Sequence, residues 1–467
     1  MKETGTDAWA FEEFGRSRIA DHRWRRRLVD VAGRAARRPA GRVTEVIGDA
    51  AERQGAYGLL ESEVVNASDV GTAMFEACAR RSSNEAFVYC PIDGTSLTLT
   101  DRERQKDFGP IGTRSQGARG LKVMNAMALS PGGVPLGISS QQWWTRAPRR
   151  RRKHRDIVPA DKKETQHWLE AMKQTRAMMA AHAPQTRCWF QLDREGDAWP
   201  MLLEAGREGS WFTIRSSWNR HVLVAGGRMS LNELLSMQPV QSKYQLEVRG
   251  TRMRRARTAN MVIRACRATI EFRDKSNGRR FSQDFNVVQV VEQGTAPSGE
   301  KPICWTLLTN RPIENKKDLA EIVFGYSLRW RIEELHRTWK TGACRVEDTQ
   351  LRTAQAVIKW ATILIAVAVR IERIKQLSRD EPDRLASDEF SPTEIKATVL
   401  LRFGKSGKAK LSRTASPTMA EVTLWIAEIG GYTGQTSSGG PPGSITIARG
   451  LDSVRAAAKA LEAIASD

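Results

Sequence analysis

The chain has 467 residues, which is enough for roughly two to four domains with buried cores. Its 74 lysines and arginines outnumber its 53 acidic residues, so the net charge is +21 and the pI is near 10.1. Such an excess favours a polyanionic partner, above all nucleic acid. Six scattered cysteines without a C-x-x-C pair argue against a disulfide framework or a zinc site. No signal peptide or membrane-spanning run is recognised, so we expect a cytoplasmic protein without membrane contact.

Residues 8–80 are predicted to be helical. The segment 21–31 is rich in arginine, including Arg23 and Arg27, and becomes amphipathic toward its end. A further helix is expected over 43–51, with a break at 54–57. Arginines along one helix can follow a DNA backbone, but a solvated surface helix explains the same pattern. The residues alone leave both interpretations open.

Two predicted strands end on acidic residues in the central part of the chain. The apolar segment 85–92 leads into Asp93, and the segment 187–192 leads into Asp193. Taken alone, Asp93 followed by glycine is typical of a hairpin turn, and Asp193 is typical of a helix N-cap. The stretch between them is predicted to contain two further strands and one helix, over 121–129, 134–144 and 161–183.

A β-rich stretch follows, from about 210 to 293. Arg215 closes its first predicted strand. A later strand over 302–309 carries Trp305, which core packing alone would explain. Beyond Lys340 the chain is predicted to be helical, with its longest helix over 355–377.

The segment 324–340 is the most informative of the chain. At about 100° per residue, a single helix here gathers a charged and aromatic face within an arc of roughly 100°. That face comprises Tyr326, Arg329, Trp330, Glu333, Arg337 and Lys340, and Leu328, Ile332, Leu335 and Trp339 lie on the opposite, apolar side. A carboxylate among cations can hold a divalent metal beside phosphate oxygens. The alternative is a solvated amphipathic helix with ordinary i,i+4 ion pairs, which the aromatic residues on the charged face disfavour.

The spacing Tyr-x2-Arg-x3-Glu-x6-Lys, from Tyr326 to Lys340, resembles the catalytic helix of a known family. The family is that of bacterial cut-and-paste insertion-sequence transposases with an RNase H-like DDE core, the Tn-five transposase group. Asp-Arg-Glu-x-Asp from Asp193 and Asp-x-Arg-x3-Arg-Leu-Val from Asp21 extend the resemblance, which covers nearly the whole chain.

The resemblance implies an α/β fold with an RNase H-like catalytic core over 81–345, which contains a β-strand insertion at about 218–298. A helical DNA-end-binding domain over 1–80 and a helical C-terminal domain over 346–467, used for dimerisation, would flank this core. The implied protein is a homodimer on double-stranded DNA, both transposon ends and target, in the bacterial cytoplasm and associated with the nucleoid.

The resemblance also implies roles for individual residues. Asp93, Asp193 and Glu333 would be catalytic and would bind two Mg²⁺ ions, for which Mn²⁺ could substitute. The implied DNA-binding residues are Tyr326, Arg329, Arg337 and Lys340 on phosphates, Trp305 on a flipped base, Arg215 at the distorted end, and Arg23 and Arg27 in the N-terminal domain. The implied reaction is a nick, hairpin formation at the transposon end, hairpin opening and strand transfer.

The chain departs from this family in three places. Arg149–Arg155 is a dense basic run where a less basic linker is expected, either a solvated loop or an additional phosphate contact. Arg337 stands where lysine is expected, and Trp24 stands where a basic residue is expected. Two other functions stay open: a non-catalytic DNA-binding transposition inhibitor on the same fold, and an RNase H-like junction or RNA–DNA hybrid nuclease.

Overall fold

A computed structural model of the chain describes residues 5–466 except 102, 104, 113–116, 147–163, 208, 225–226, 249, 251–253, 275–276, 405–415 and 436–439. The basic run Arg149–Arg155 therefore lies outside the described residues. The described part combines a mixed sheet with helices, which agrees with the predicted α/β class.

Five helices form the N-terminal part: α1 (Thr6–Phe14), α2 (His22–Arg37), α3 (Val43–Val46), α4 (Ala50–Glu61) and α5 (Ala67–Ser82). The predicted break at 54–57 is wrong, because α4 runs through it. The side chain of Asp49 caps α4 by accepting a hydrogen bond from the Glu52 N–H at 2.8 Å. Gly55 belongs to this helix for a packing reason: a Cβ there would lie 2.4 Å from Nη1 of Arg27 on α2.

The described strands form one twelve-stranded sheet in the order β2-β3-β1-β5-β6-β12-β11-β10-β7-β8, with β4 added beside β3 and β9 beside β10. Their bounds are β1 Phe87–Thr98, β2 Gly109–Pro110, β3 Arg119–Leu129, β4 Pro135–Trp144, β5 Arg187–Leu192, β6 Trp211–Arg215, β7 His221–Val224, β8 Gly227–Ser230, β9 Ser242–Val248, β10 Arg257–Arg273, β11 Arg280–Glu292 and β12 Cys304–Thr309. Helices α6 (Gln166–His182), α7 (Trp199–Glu204) and α8 (Leu231–Ser236) lie between strands along the chain.

Strand β1 is the centre of the candidate site. It pairs antiparallel with β3 and parallel with β5, and β5 pairs parallel with β6. Asp93 and Gly94 lie inside β1, opposite Asn125 and Met124 of β3, so the hairpin interpretation of Asp93 is wrong. The apolar strand continues through this pair because β3 supplies hydrogen bonds on both sides of it.

The remaining helices are α9 (Lys316–Ser327), α10 (Trp330–Lys340), α11 (Ala354–Asp380), α12 (Pro392–Phe403), α13 (Met419–Ile429) and α14 (Ser444–Ser466). Among the described helices, α11 is long and apolar enough to cross a membrane by length and composition alone. However, 89% of its most apolar 18-residue window is buried inside the protein, as in the core helix of a soluble protein. It packs on α2, α4, α5, α10 and β4.

The sheet buries both faces, as alternate residues of its strands show. Tyr89 and Trp189 lie in the core on the side of α10 and α11, whereas Cys90 and Phe190 lie in the core on the side of α6. All six cysteines are free thiols. Two covered faces explain why β1 and β5 are nearly continuous apolar runs that stop at their acidic residues.

Candidate active site

The register of β1 and β5 brings two predicted acids to the same place. Phe87 lies opposite Arg187 and Pro91 lies opposite Gln191, so partners differ by a constant 100 in residue number. The same register continued by two residues places Asp93 opposite Asp193. Asp193 directly follows β5 and also caps a short 3-10 helix, where its Oδ1 accepts from the Glu195 N–H at 2.8 Å. The N-cap interpretation is therefore confirmed, and it leaves the second carboxylate oxygen available.

The segment 324–340 is two helices rather than the predicted single one. Helix α9 ends at Ser327 and α10 begins at Trp330. Between them the Arg329 N–H bonds to the Tyr326 carbonyl at 3.1 Å, and the Arg331 N–H bonds to the Leu328 carbonyl at 2.9 Å. These i→i+3 bonds tighten the turn. Tyr326 is buried, and the positive charge of Arg329 still acts on its phenol.

The apolar side of the segment is buried as predicted. Leu328, Ile332, Leu335 and Trp339 all belong to the core. The Trp339 indole N–H donates to the Ala361 carbonyl of α11 at 3.0 Å. Gly325 lets α9 approach β1 closely, because a Cβ there would lie 2.2 Å from a ring carbon of Tyr89. These contacts set the position of the charged face of α10 relative to β1.

The carboxylates of Asp93, Asp193 and Glu333 affect one another electrostatically. Burial, together with the negative charges of Asp193 and Glu333, raises the pKa of Asp93 to about 7, while the positive charge of Arg329 opposes that rise. Arg329 also forms a hydrogen-bonded ion pair with Glu333, four residues away on the helix. Arg329 thus neutralises only part of the negative charge of Asp93, Asp193 and Glu333.

Oxygen ligands of this kind suit Mg²⁺. In the described part of the chain, no three His, Cys, Asp or Glu side chains are gathered closely enough to hold a metal ion. Glu333 is paired with Arg329 in this arrangement. The chemistry of the donor set fits a divalent cation, because a cation beside Asp93 would offset the repulsion that raises its pKa.

A second cluster surrounds the phenol of Tyr326. The ring of Trp305 on β12 meets the Tyr326 ring edge to face, with centroids 5.4 Å apart. Burial raises the pKa of Tyr326, and the positive charges of Arg215 and Arg329 oppose that rise. Arg215 is held by a hydrogen bond from Nη2 to the Cys304 carbonyl at 3.0 Å. Four residues predicted from the sequence as DNA contacts thus lie together, and Trp305 remains half-buried.

The other predicted DNA contacts lie at different positions. Lys340 reaches toward β1, with Nζ 3.4 Å from Oγ1 of Thr95 and 3.6 Å from Oε1 of Glu347. Arg337 is exposed on α10. Arg23 and Arg27 lie on α2, which packs on α1, α4, α11 and α14.

The last acid of the Asp-Arg-Glu-x-Asp motif, Asp197, has a structural role. Asp197 is buried and accepts hydrogen bonds from the Ser217 N–H at 2.6 Å and from Nη1 of Arg220 at 2.7 Å. The Ser217 hydroxyl also donates to the Arg194 carbonyl at 2.8 Å. These bonds fasten the loop that follows Arg215 to the turn that carries Asp193.

Sequence reasoning missed two residues next to Asp93. His336 lies three residues after Glu333 on α10, with Nδ1 4.0 Å from Oδ2 of Asp93. Asn125 of β3 hydrogen-bonds to Nε2 of His336 at 2.9 Å. The i,i+3 spacing to Glu333 was a signal for His336, since such residues are neighbours on a helix. The sequence gives no such signal for Asn125, because only the pairing of β1 with β3 places this residue beside Asp93.

One comparison with known proteins bears on the N-terminal helices. A protein-family model described as transposase DNA-binding matches residues 6–65, the segment that forms α1 to α4. The match covers this segment of the 467-residue chain, and it supports a DNA-binding transposase with DNA as its partner.

Proposed function

We propose that this chain is a cut-and-paste DNA transposase with an RNase H-like catalytic core. The observation that carries the proposal is the parallel pairing of β1 with β5, whose register, observed as far as Pro91 and Gln191, would bring Asp93 and Asp193 side by side if it continued by two residues. Glu333 on the packed helix α10 contributes to the raised pKa of Asp93. Two acids on adjacent strands and a third on a helix match the order expected for this core.

Asp93, Asp193 and Glu333 would hold two Mg²⁺ ions, with Mn²⁺ as a substitute. When bound, these cations would activate water, and then a DNA 3′-hydroxyl, for in-line attack on a phosphodiester. The chain itself would supply the frame: β1, which contains Asp93, pairs with β5, which Asp193 directly follows, and the buried apolar face of α10 fixes the helix that carries Glu333.

Cations of α10 would position the DNA backbone. Arg337 and Lys340 are three residues apart and therefore neighbours on the helix, one exposed and one above β1. Both can bind phosphate oxygens by charge-assisted hydrogen bonds. Arg329 pairs with Glu333 in the DNA-free protein and would be able to pair with a phosphate instead.

The cluster of Trp305, Tyr326 and Arg215 would stabilise a distorted transposon end. Hairpin formation bends one strand sharply toward the other, and flipping a base out relieves the bend. The flip costs a few kcal/mol, and an aromatic platform returns about 1–3 kcal/mol. Trp305 is a suitable platform because its ring is half-buried and braced by the edge of Tyr326.

Recognition of the ends is assigned to residues 1–80 through the arginines of α2, including Arg23 and Arg27, and dimerisation to residues 346–467. The core would span 81–345 with its β-strand insertion at about 218–298. The proposal places a homodimer on double-stranded transposon ends and target DNA in the bacterial cytoplasm, associated with the nucleoid.

The test is incubation of the purified chain with a plasmid that carries candidate terminal repeats, with Mg²⁺ or with EDTA. Excision of the flanked segment, with hairpin ends that run aberrantly on a denaturing gel, is expected only with Mg²⁺. Specific binding of the repeats without cleavage under any divalent-metal condition would instead support the transposition inhibitor. Cleavage of branched DNA or RNA–DNA hybrids without preference for the repeats would support the nuclease.

A further inference from the structure

A chain of buried side-chain hydrogen bonds leads from the interior to Asp93. It joins four elements through Thr362 on α11, Gln141 on β4, Asn125 on β3 and His336 on α10. None of the four side chains is assigned a role by the proposed chemistry. Each belongs to a residue that is no more than 7% exposed, so the cost of an unmade hydrogen bond would be high.

The amide orientations of Gln141 and Asn125 in the structure give each bond its direction. The Thr362 hydroxyl donates to Oε1 of Gln141 at 3.0 Å, which leaves Nε2 of Gln141 to donate to Oδ1 of Asn125 at 2.8 Å. The amide nitrogen Nδ2 of Asn125 then faces Nε2 of His336 at 2.9 Å. An amide nitrogen can only donate, so Nε2 of the imidazole has to accept with its lone pair.

With these amide orientations, the chain of hydrogen bonds favours one ring nitrogen of His336 as the site of the proton. With Nε2 as acceptor, the neutral imidazole is protonated at Nδ1, the atom that lies 4.0 Å from Oδ2 of Asp93. The other oxygen of Asp93, Oδ1, accepts from the Gly94 N–H at 2.9 Å. A closing movement of about 1 Å would bring Nδ1–H within hydrogen-bond distance of Oδ2.

We propose that His336, held as the Nδ1–H tautomer by Asn125, Gln141 and Thr362, is a positioning residue that orients the Asp93 carboxylate for metal binding. The inference deepens the proposed function and rests on it. A donor on the inner side of Oδ2, together with the Gly94 N–H on Oδ1, would hold one rotamer of Asp93. The outward lone pairs of both oxygens would then remain free for a cation. Losing such an outer hydrogen bond typically lowers metal affinity or activity by about 10–100-fold.

The competing interpretation is a purely structural link that fastens α10 to the sheet. Two substitutions separate the two roles, because asparagine places its amide near the position of Nδ1 and glutamine places its amide near the position of Nε2. His336→Asn keeps a donor toward Asp93 and removes the hydrogen bond with Asn125. His336→Gln keeps the hydrogen bond with Asn125 and removes the donor toward Asp93. His336→Leu removes both.

The first readout needs neither metal nor DNA. The ¹⁵N chemical shifts of the histidine rings in the metal-free protein, assigned through His336→Gln, should show protonation at Nδ1 and a bare Nε2. A ring protonated at Nε2 alone would overturn the inference. Asn125→Asp replaces the donor with an acceptor and should move the His336 proton to Nε2. This variant tests the proposed direction of the hydrogen bonds from Thr362 to His336.

The second readout is Mn²⁺ binding measured by calorimetry, beside thermal melting and single-turnover nicking of labelled end DNA. His336→Asn should bind Mn²⁺ within a few-fold of the wild type, and His336→Gln should bind it about 10–100-fold more weakly. The reverse order, with His336→Gln near the wild type, would establish the structural link and overturn positioning. Wild-type Mn²⁺ binding that is insensitive to Asp93→Asn would also overturn it.

Ser139→Ala is the matched control. Ser139 of β4 shares a buried hydrogen bond of 3.0 Å with Thr175 of α6, and its other hydrogen bond goes to the Ala126 carbonyl. The Ser139→Ala substitution should lower thermal stability without a selective effect on Mn²⁺ affinity. If the wild type shows the Nδ1–H tautomer and Asp93-dependent Mn²⁺ binding but cleaves no DNA, positioning stands and the proposed function fails.

Discussion

Two basic helices of this protein use their charges differently. On α2, the Arg23 side chain is 81% exposed and pairs only with Asp21, the N-cap of its own helix, within the part of the chain that the structure describes. On α10, Lys340 lies above β1, and Arg329 of the preceding turn pairs with Glu333. The charge of Arg23 is therefore available to a partner in solution, whereas the charge of Arg329 already offsets the Glu333 carboxylate. A similar arginine-rich pattern in sequence can thus serve recognition in one place and electrostatic compensation in the other.

The largest expected effect comes from removing the helix carboxylate. Glu333→Ala should lower the rate of DNA cleavage by about three orders of magnitude, roughly 4 kcal/mol in the activation barrier, because one metal ligand is removed. End binding measured by gel shift should be unchanged, since α2 is untouched.

Glu334→Ala is the control for that loss. Glu334 is the adjacent acid on α10, and its carboxylate lies 3.4 Å from Arg331 and 3.8 Å from Lys375. The Glu334→Ala variant should therefore cleave DNA at nearly the wild-type rate. Near-normal cleavage by Glu333→Ala would remove α10 from the catalytic site.

The next effect separates hairpin chemistry from hydrolysis. Trp305→Ala should slow hairpin formation by about one to two orders of magnitude, because it removes about 1–3 kcal/mol of base stacking. The first nick should continue, so nicked DNA should accumulate in a time course on a denaturing gel. Trp305→Phe should recover part of the hairpin product. A variant with a lowered melting temperature and equal loss of both steps would assign Trp305 to the core alone.

A stability effect follows from the raised pKa of Asp93, about 7, against an ordinary value of 3.8. Because ionisation is harder in the folded state, Asp93 lowers stability progressively as pH rises from about 4 to about 7. In metal-free buffer at pH 8, Asp93→Asn should therefore stabilise the protein by on the order of 1–3 kcal/mol. The gain should vanish near pH 4. If Asp93→Asn and the wild type differed in stability by the same amount at pH 8 and at pH 4, the charge of Asp93 would not be the cause.

The smallest effect is expected on α2. Arg23→Gln combined with Arg26→Gln should flatten the log–log salt dependence of end binding by up to about one unit for each cation that no longer meets a phosphate. Cleavage at saturating protein should change little. Arg402→Gln, which removes a remote cation paired with Glu428, is the control. An unchanged slope would leave α2 as a solvated surface helix.

Much of the fold could be predicted from the sequence because the signals are local. Apolar runs predicted β1, β5 and β12, and the periodicity of 324–340 predicted which residues face the core. The DNA-binding interpretation of the N-terminal helices agrees with the family match over residues 6–65. The prediction failed at Gly55, which lies inside α4, where a side chain would collide with Arg27.

The site could be predicted only in part. Asp93, Asp193 and Glu333 were candidates from the sequence, and the structure brings their charges within mutual influence. The turn between α9 and α10 was not predictable, because helix periodicity does not reveal it. The metal ligation by the three acids and the DNA contacts remain predictions.

By itself, the sequence determined the class of partner and the amphipathic character of the key helices, since net charge and periodicity depend only on the order of residues. Tertiary structure alone decided the parallel register of β1 and β5, the pairing that brings Asn125 beside β1, and the contact between Asn125 and His336. The physical reason is that hydrogen bonds between distant strands have no local signal. They form only when the packed sheet excludes water and leaves each buried donor one acceptor to meet.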